Sequence, residues 1–352
     1  MTPSLHVLAT AQHRGAERFA LELVAAMNRA DGDARAVALW AGGGDPLLPV
    51  ERLGPAAYAL RTLSALRSGA VPGEPVVAHG SSTLAACAIA LAGRAPFIYR
   101  GIGDPTYWTP TRVRRVRTRE LLRRASAAVV MWPGAADAMR ALHGRALRRI
   151  EVIPKGIDSS VSPLDPTERA RAREALGVGD EVPVVAYLGS LSAEKDPITA
   201  VQAAAALPRA HLLVIGGGPL RAQVSEAAGA ALPGRHTVTG PLAEPRSMLA
   251  AADALVLPSR SEGVPSAPLE AGLLGLPSVV TDVGGASLTV IDGVSGRVVP
   301  PGDGPALASA LQEVLRDAAA MGREARTHVC RAFDLDAAAK AWLALTTDVA
   351  RS

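Results

Sequence analysis

The chain has 352 residues, 49% hydrophobic and 20% charged, with a formal net charge of +4; this is globular composition, long enough for two domains and too apolar for disorder. The longest uncharged apolar stretch, residues 125–136, is interrupted by Ser126, Pro133 and Gly134 and falls short of the roughly 18 residues that read as a membrane span, while residues 1–8 lack the basic and apolar regions of a signal peptide. Two cysteines, Cys87 and Cys330, make neither a disulfide framework nor a metal cluster, which points to a reducing, cytoplasmic setting.

In chain order, short β-like runs at residues 6–9, 36–40, 75–79, 97–100, 127–131 and 150–153 alternate with Ala- and Leu-rich segments of helical spacing. Pro154, Gly156, Pro163 and Pro166 then interrupt any periodic pattern, as a linker does. The alternation resumes with runs at 182–188, 211–215, 254–257, 278–281 and 296–299. This order predicts βαβ units and an α/β fold of two Rossmann-like doubly wound domains facing a cleft, with ligands at the carboxyl ends of the strands. Charge divides along the same line: residues 1–150 hold 20 basic and 10 acidic side chains, residues 151–352 hold 17 and 23.

The most informative segment, residues 258–285, reads PSRSEGVPSAPLEAGLLGLPSVVTDVGG. Gly263, Pro265 and Pro268 lie between Glu262 and Glu270. Proline is tolerated in a helix near its first turn, so a helix should begin around residues 265–268, and its first amides form an anion site suited to a diphosphate. Glu270 then sits one turn in, able to accept from two adjacent hydroxyls such as those of a ribose. Glu262 sits on the preceding loop, near a sugar.

The glutamate pair, with AGLLGLPSVVTDVGG after it and IDGVSGRVVPPGD at residues 291–303, resembles the group 1 type of the retaining GT-B glycosyltransferases. That family includes sucrose, glycogen, mannosyl and lipopolysaccharide-core transferases. Residues 189–196 (GSLSAEKD), 215–220 (IGGGPL), 152–158 (VIPKGID) and 14–23 (RGAERFALEL) are similar to further family motifs in the same order, and the likeness spans most of residues 6–303. It implies an N-terminal acceptor-binding domain at 1–155, a nucleotide-sugar-binding domain at 156–332, and a helix at 333–352 returning to the first domain.

The resemblance also implies site roles. Glu262, His79 and Lys195 would be catalytic. The donor would be held by Gly15, Ser190, Lys195, Gly218, Gly240, Leu242, Glu262, Gly263, Val264, Pro265, Ser266 and Glu270, with the backbone near Gly240 and Leu242 on the base. Only three of the 37 basic residues are lysines, Lys155, Lys195 and Lys340, so a lysine kept in the loop after a predicted strand suits a point charge for a leaving diphosphate. Ser190 stands where the family usually has an arginine, which removes one positive charge; Arg14 and Arg260 are candidates to replace it. Gly217, Lys155 and Arg14 are further departures from the family's usual residues.

His79 ends a predicted strand. The family implies that it faces the donor sugar; the plainer reading is a surface histidine capping the next helix. Arg100, Asp104, Tyr107 and Trp108 cluster after another predicted strand and read as acceptor lining or as a packed loop. Asp31, Gly32 and Asp33 match a D-x-D metal motif but suit a turn. Gly216 and Gly218 imitate a dinucleotide fingerprint that Arg221 breaks. Arg112, Arg114, Arg115, Arg117, Arg119, Arg123 and Arg124 form a basic helix suited to anionic lipid or a phosphorylated acceptor, or merely solvated. Val113, Val116, Leu121 and Leu122 suggest that it buries one face. Few aromatics argue against nucleic acid.

The resulting expectation is a metal-independent, retaining transferase without a cofactor. It would take a nucleotide-diphosphate sugar, UDP-sugar favoured by family frequency, and a small-molecule, glycan or lipid-linked acceptor. It would be cytoplasmic, in peripheral contact with the inner face of the membrane. The rival reading is a non-catalytic nucleotide-sugar-binding subunit that partners an active transferase.

Overall fold

The computed structural model describes residues 3–12, 15–43 and 47–351, with the backbone alone of Arg145. Two compact units make up the chain: Met1–Asp158 together with Phe333–Ser352, and Ser159–Ala332.

The first unit runs β1 (Pro3–Thr10), α1 (Gly15–Arg29), β2 (Asp33–Trp40), β3 (Glu51–Arg52), α2 (Leu60–Gly69), β4 (Val76–His79), α3 (Ser81–Ala90), β5 (Phe97–Arg100), α4 (Pro105–Trp108), α5 (Arg112–Leu122), β6 (Ala127–Val130), α6 (Pro133–His143) and β7 (Ile150–Val152). Its strands pair in parallel in the order β3-β2-β1-β4-β5-β6-β7. β4 and β6 are buried along their whole length, so they read in sequence as continuous apolar runs, as strands covered on both faces do. α1 buries Phe19, Leu23, Ala26 and Met27 on one stripe, with Glu17 in its first turn and Arg29 in its last to suit the helix dipole.

The second unit runs α7 (Pro166–Leu176), β8 (Val184–Leu188), α8 (Pro197–Ala205), β9 (His211–Ile215), α9 (Arg221–Ala231), β10 (His236–Gly240), α10 (Arg246–Leu249), β11 (Ala254–Leu257), α11 (Ser266–Leu273), β12 (Ser278–Thr281), β13 (Gly296–Val299), α12 (Gly304–Arg316) and α13 (Ala318–Ala332). The sheet order is β10-β9-β8-β11-β12-β13. Strand order reverses between β8 and β11, which is where doubly wound sheets open a ligand crevice beyond their carboxyl ends. α7 starts on a capping box, Asp165 accepting from Thr167 and Glu168 amides, and stops at Gly177 in the left-handed region.

The last helix, α14 (Leu335–Ala350), belongs to the first unit. Its buried face, with Ala338, Ala339, Trp342, Leu345 and Val349, packs with Phe19, Leu23, Ile98, Val129 and Ile153. Asp334 caps it by accepting from the amides of Asp336 and Ala337.

Two strands have no counterpart in the apolar runs of the sequence. β3 is two exposed residues, and β10 (HTVTG) is a half-buried edge strand. The buried edge of α5 also differs from expectation. Val113 and Val116 are 78% and 59% exposed, and Leu122 is the side chain that is buried. The helix meets α3 and α6 along one edge only, and the valines point away from it. Asp31, with φ +61°, sits in a turn ahead of β2. Among the described residues no helix is long and apolar enough to cross a membrane.

Trp342 is 1% exposed at the centre of the α14 contact. Trp342→Ala should destabilise the protein by about 3–5 kcal/mol, read from urea unfolding. Unchanged stability would show that α14 does not hold this core together.

Candidate functional site

At the reversal in the second unit, the loop after β8 carries Lys195 and the loop after β11 carries Glu262. Lys195 Nζ donates to Glu262 Oε2 at 2.5 Å. The other carboxylate oxygen, Oε1, accepts from Ser259 Oγ at 2.7 Å. The Ser259 carbonyl in turn accepts from Thr281 Oγ1 of β12 at 2.6 Å. Glu262 is 4% exposed and Lys195 24%, so the acid is fixed in the wall while the ammonium still meets solvent.

Backbone close approach shapes these loops. A Cβ on Gly216 would stand 1.8 Å from the Gly189 carbonyl, and one on Gly284 would stand 1.9 Å from the Glu262 carbonyl, with Gly284 already at φ +55°. Only glycine fits either place. The loops after β8 and β9 are further joined by Gly189 N to Ile215 O, 3.0 Å, and Leu191 N to Gly217 O, 2.9 Å. Gly285 N donates to Gly263 O at 2.8 Å, closing the segment after β12 onto the Glu262 loop.

Arg260 ties the two site loops together. Its amide donates to Glu194 O at 2.8 Å and its Nε to Asp196 Oδ2 at 2.9 Å. Burial, aided by Glu262 and opposed by Lys195, pushes the Glu194 carboxyl above its usual range. Burial, followed by the charges of Glu262 and Asp196, raises the Tyr187 phenol, whose hydroxyl donates to Ser190 O at 2.8 Å.

α11 begins at Ser266, with Pro265 extended at the N-cap and no side chain capping the end. Glu270 is half-buried on the second turn. Gly263 and Ser266 are half-buried, while Val264 and Pro265 are buried. Ser190 is exposed. A Cβ on Gly218 would stand 2.5 Å from the Leu191 carbonyl, so that residue too lies against the Lys195 loop. Gly240 O accepts from Gly216 N, and Leu242, just beyond, is 37% exposed. Gly15 lies on the first unit as the opening residue of α1, and Arg14 falls outside the described residues.

The first unit places His79 and Arg100 differently from the sequence expectation. His79 is 3% and Arg100 2% exposed. Arg100 lies 4.3 Å over the Phe19 ring and donates from NH1 to His79 Nδ1 at 3.3 Å and from NH2 to Met131 Sδ at 3.5 Å. Because a guanidinium only donates, His79 must accept at Nδ1 and carry its proton on Nε2. That proton goes to His6 Nδ1 at 3.0 Å, so His6 is protonated at Nε2, which has no partner. His79 therefore has no free ring nitrogen to offer a sugar. Nor does it cap the next helix, whose N-cap is Gly80. Arg100 likewise turns inward, away from any acceptor lining, because the Phe19 face and the imidazole receive it.

Asp104, Tyr107 and Trp108 lie at the surface. Asp104 Oδ1 accepts from the amide and hydroxyl of Thr106. Tyr107 and Trp108 meet edge to face at 5.6 Å, about half exposed.

Sequence reasoning passed over His6, Ser259 and Asp196. A histidine inside an apolar strand was a usable signal for the first. Ser259, three residues before Glu262, became meaningful only once the loop geometry was known. Among the described residues no three His, Cys, Asp or Glu side chains are grouped to hold a metal ion.

Residues 168–328, all within the second unit, match the family described as Glycosyl transferases group 1, so the chain carries that domain. It is 32% identical over 207 residues to the alpha-D-kanosaminyltransferase of Streptomyces kanamyceticus, covering 56% of this chain and 53% of that protein. It is 34% identical over 216 residues to the 2-deoxystreptamine glucosyltransferase of the same organism, covering 59% and 56%. It is also 32% identical over 229 residues to the D-inositol 3-phosphate glycosyltransferase of Mycobacterium avium (strain 104), covering 61% and 53%. The chain spans about half the length of each. Its fold matches Anabaena HepE in complex with UDP-glucose, with a TM-score of 0.85 and 21% identity over 99% of this chain and 100% of that one. It also matches sucrose-phosphate synthase from Thermosynechococcus elongatus, with a TM-score of 0.81 and 20% identity over 99% of both chains.

Burial first, and the Arg100 charge second, push His6 down to about 3 and His79 well below the ordinary 6.5. Unfolded, both take up protons near 6.5, so the unfolded chain binds more protons in acid. The stability contributed by the neutral pair is complete above about pH 6.5 and falls below it, by about 1.4 kcal/mol per pH unit for each imidazole kept neutral. Urea unfolding between pH 7 and pH 5 checks this. His6→Leu, which also removes the orphaned Nε2 proton, should flatten the acid decline; an equally steep decline in that variant would show that His6 is not one of the groups whose protonation costs stability in acid.

Proposed function

We propose that the chain, as the bearer of a group 1 glycosyl transferase domain, is a retaining glycosyltransferase. It moves a sugar from a nucleotide-diphosphate sugar to a small-molecule, glycan or lipid-linked acceptor. The observation that supports this most directly is the Lys195–Glu262 contact on adjacent loops at the reversal of the second sheet.

In this reading Lys195 leaves or shares Glu262 to meet the diphosphate, and the backbone from Gly263 to Ser266 at the start of α11 adds its dipole. No metal is required for that neutralisation and no cofactor takes part. Glu262, held by Ser259, takes a sugar hydroxyl; Glu270 takes the ribose; the backbone at Gly240 and Leu242 meets the base. The bond between the anomeric carbon and the diphosphate oxygen breaks to an oxocarbenium-like ion pair. The acceptor oxygen attacks from the face the leaving group vacates, and its proton passes to the departing phosphate oxygen, so configuration is retained. UDP-sugars are the first donors to test, since the solved HepE complex contains UDP-glucose. Asp104, Tyr107 and Trp108 are the acceptor candidates left at the surface of the first unit.

Nucleotide release from a panel of nucleotide sugars, with and without acceptors, tests the reading. Lys195→Ala should lower turnover by about a hundredfold or more, and Glu270→Ala should raise the KM for the donor. Donor binding with no turnover for any acceptor would instead favour a non-catalytic subunit.

We propose further that the solvent face of α5 meets an anionic membrane surface. Arg112, Arg114 and Arg117 lie there beside the exposed Val113 and Val116, a pairing of charge with apolar side chains that suits a headgroup boundary. Replacing the three arginines by Gln should weaken sedimentation with phosphatidylserine vesicles by about 1 kcal/mol per charge. Equal binding to purely zwitterionic vesicles would count against it.

A further inference from the structure

Lys195 is gripped from both sides by one residue of the facing loop. Arg260 donates its amide to the carbonyl of Glu194, the residue before the lysine, and its Nε to the carboxylate of Asp196, the residue after it. Lys195 then returns its ammonium to Glu262, two residues beyond Arg260. The two loops thus form a closed clasp in which Arg260 and Glu262 hold three consecutive residues.

Asp196 shows what the clasp costs. It stands at the N-cap of α8, where an aspartate ordinarily bonds the helix's first amides, yet it makes no capping bond and adopts the left-handed region at φ +46°. Its carboxylate is turned to Arg260 instead and is only 10% exposed. The Arg260 side chain is 64% exposed, and an ion pair with so open a partner adds little to global stability. The arrangement gives up a helix cap for a contact whose main effect is on loop geometry.

We infer that the Arg260 side chain, through Asp196, is a positioning residue for Lys195, fixing the ammonium where a diphosphate is bound, while the backbone bond to the Glu194 carbonyl holds the two loops together whatever the side chain. The inference rests on the donor reading above and adds a residue to it. Ser190 brings no charge to the same loop, so the placement of the single lysine matters more. Lysine is a flexible point charge with much rotamer freedom; holding the backbone on both sides of it restricts where that charge can go.

The test is calorimetric titration of the full chain with UDP, and with GDP, ADP and inorganic pyrophosphate as alternatives, for wild type, Arg260→Gln, Asp196→Gly, Lys195→Ala and the double variant Lys195→Ala/Arg260→Gln. Arg260→Gln should weaken the best-bound probe about tenfold, with a melting temperature within a few degrees of wild type. Arg260→Lys should recover part of the loss. In the Lys195→Ala background, Arg260→Gln should have almost no further effect, because its action passes through the lysine. Multiplying effects would show that Arg260 holds the diphosphate itself and would overturn the inference, as would wild-type affinity in Arg260→Gln. Should Arg260→Gln fail to fold, Asp196→Gly, which removes the acceptor of the Arg260 Nε bond and still accepts the left-handed backbone at φ +46°, reads the same contact from its other side, and wild-type affinity there is the overturning result. Wild-type protein that binds none of the probes overturns the donor reading and this inference together. Wild-type binding that is unaffected in the variants overturns this inference alone.

Discussion

The second unit is organised around the place where its parallel sheet changes direction. β8 and β11 are neighbours, but their chains continue to opposite sides, to β9 and to β12. The loops leaving their carboxyl ends therefore diverge and leave backbone and side chains facing open space. The Lys195–Glu262 pair bridges that divergence. Ser259, Thr281, Gly284 and Arg260 all serve to place one or other partner, and the glycines allow the close backbone approach that the bridge requires.

Electrostatics in that unit are local. Residues 159–332 hold 14 basic and 18 acidic side chains, so the surrounding field does not attract an anion. A helix start without a side-chain cap and one lysine can do so at short range, where desolvation strengthens each charge. The near-total replacement of lysine by arginine elsewhere makes Lys195 chemically distinct: its ammonium can leave Glu262 and turn to a second anion without breaking a bidentate geometry.

The first unit follows a different logic. A guanidinium is buried against Phe19 with imidazole and thioether partners rather than a carboxylate. Burial pushes Arg100 down to about 9, and the arrangement is tolerable because the ring face, the neutral His79 and the sulfur each accept some of the charge. The cation fixes the tautomers of both histidines, and the indole of Trp342 on α14 stacks 6.4 Å from His79. The polar cluster and the returning helix are thus parts of one core.

The alternation of apolar runs and helical segments determined two parallel-sheet domains, because strands covered on both faces must be apolar along their length. Edge strands such as β10 escaped that pattern, being half in water. Glu262 and Lys195 stood out as motif residues, and the fold brings them into contact across adjacent loops. What sequence could not decide was direction. Whether His79 and Arg100 faced a ligand or the interior, whether Val113 and Val116 were buried, and which loop held Lys195 in place all depend on residues far apart in the chain. Phe19, His6 and Trp342 for the first, and Arg260 for the last, became neighbours only when the sheets formed, and packing in three dimensions rather than local spacing settled each case.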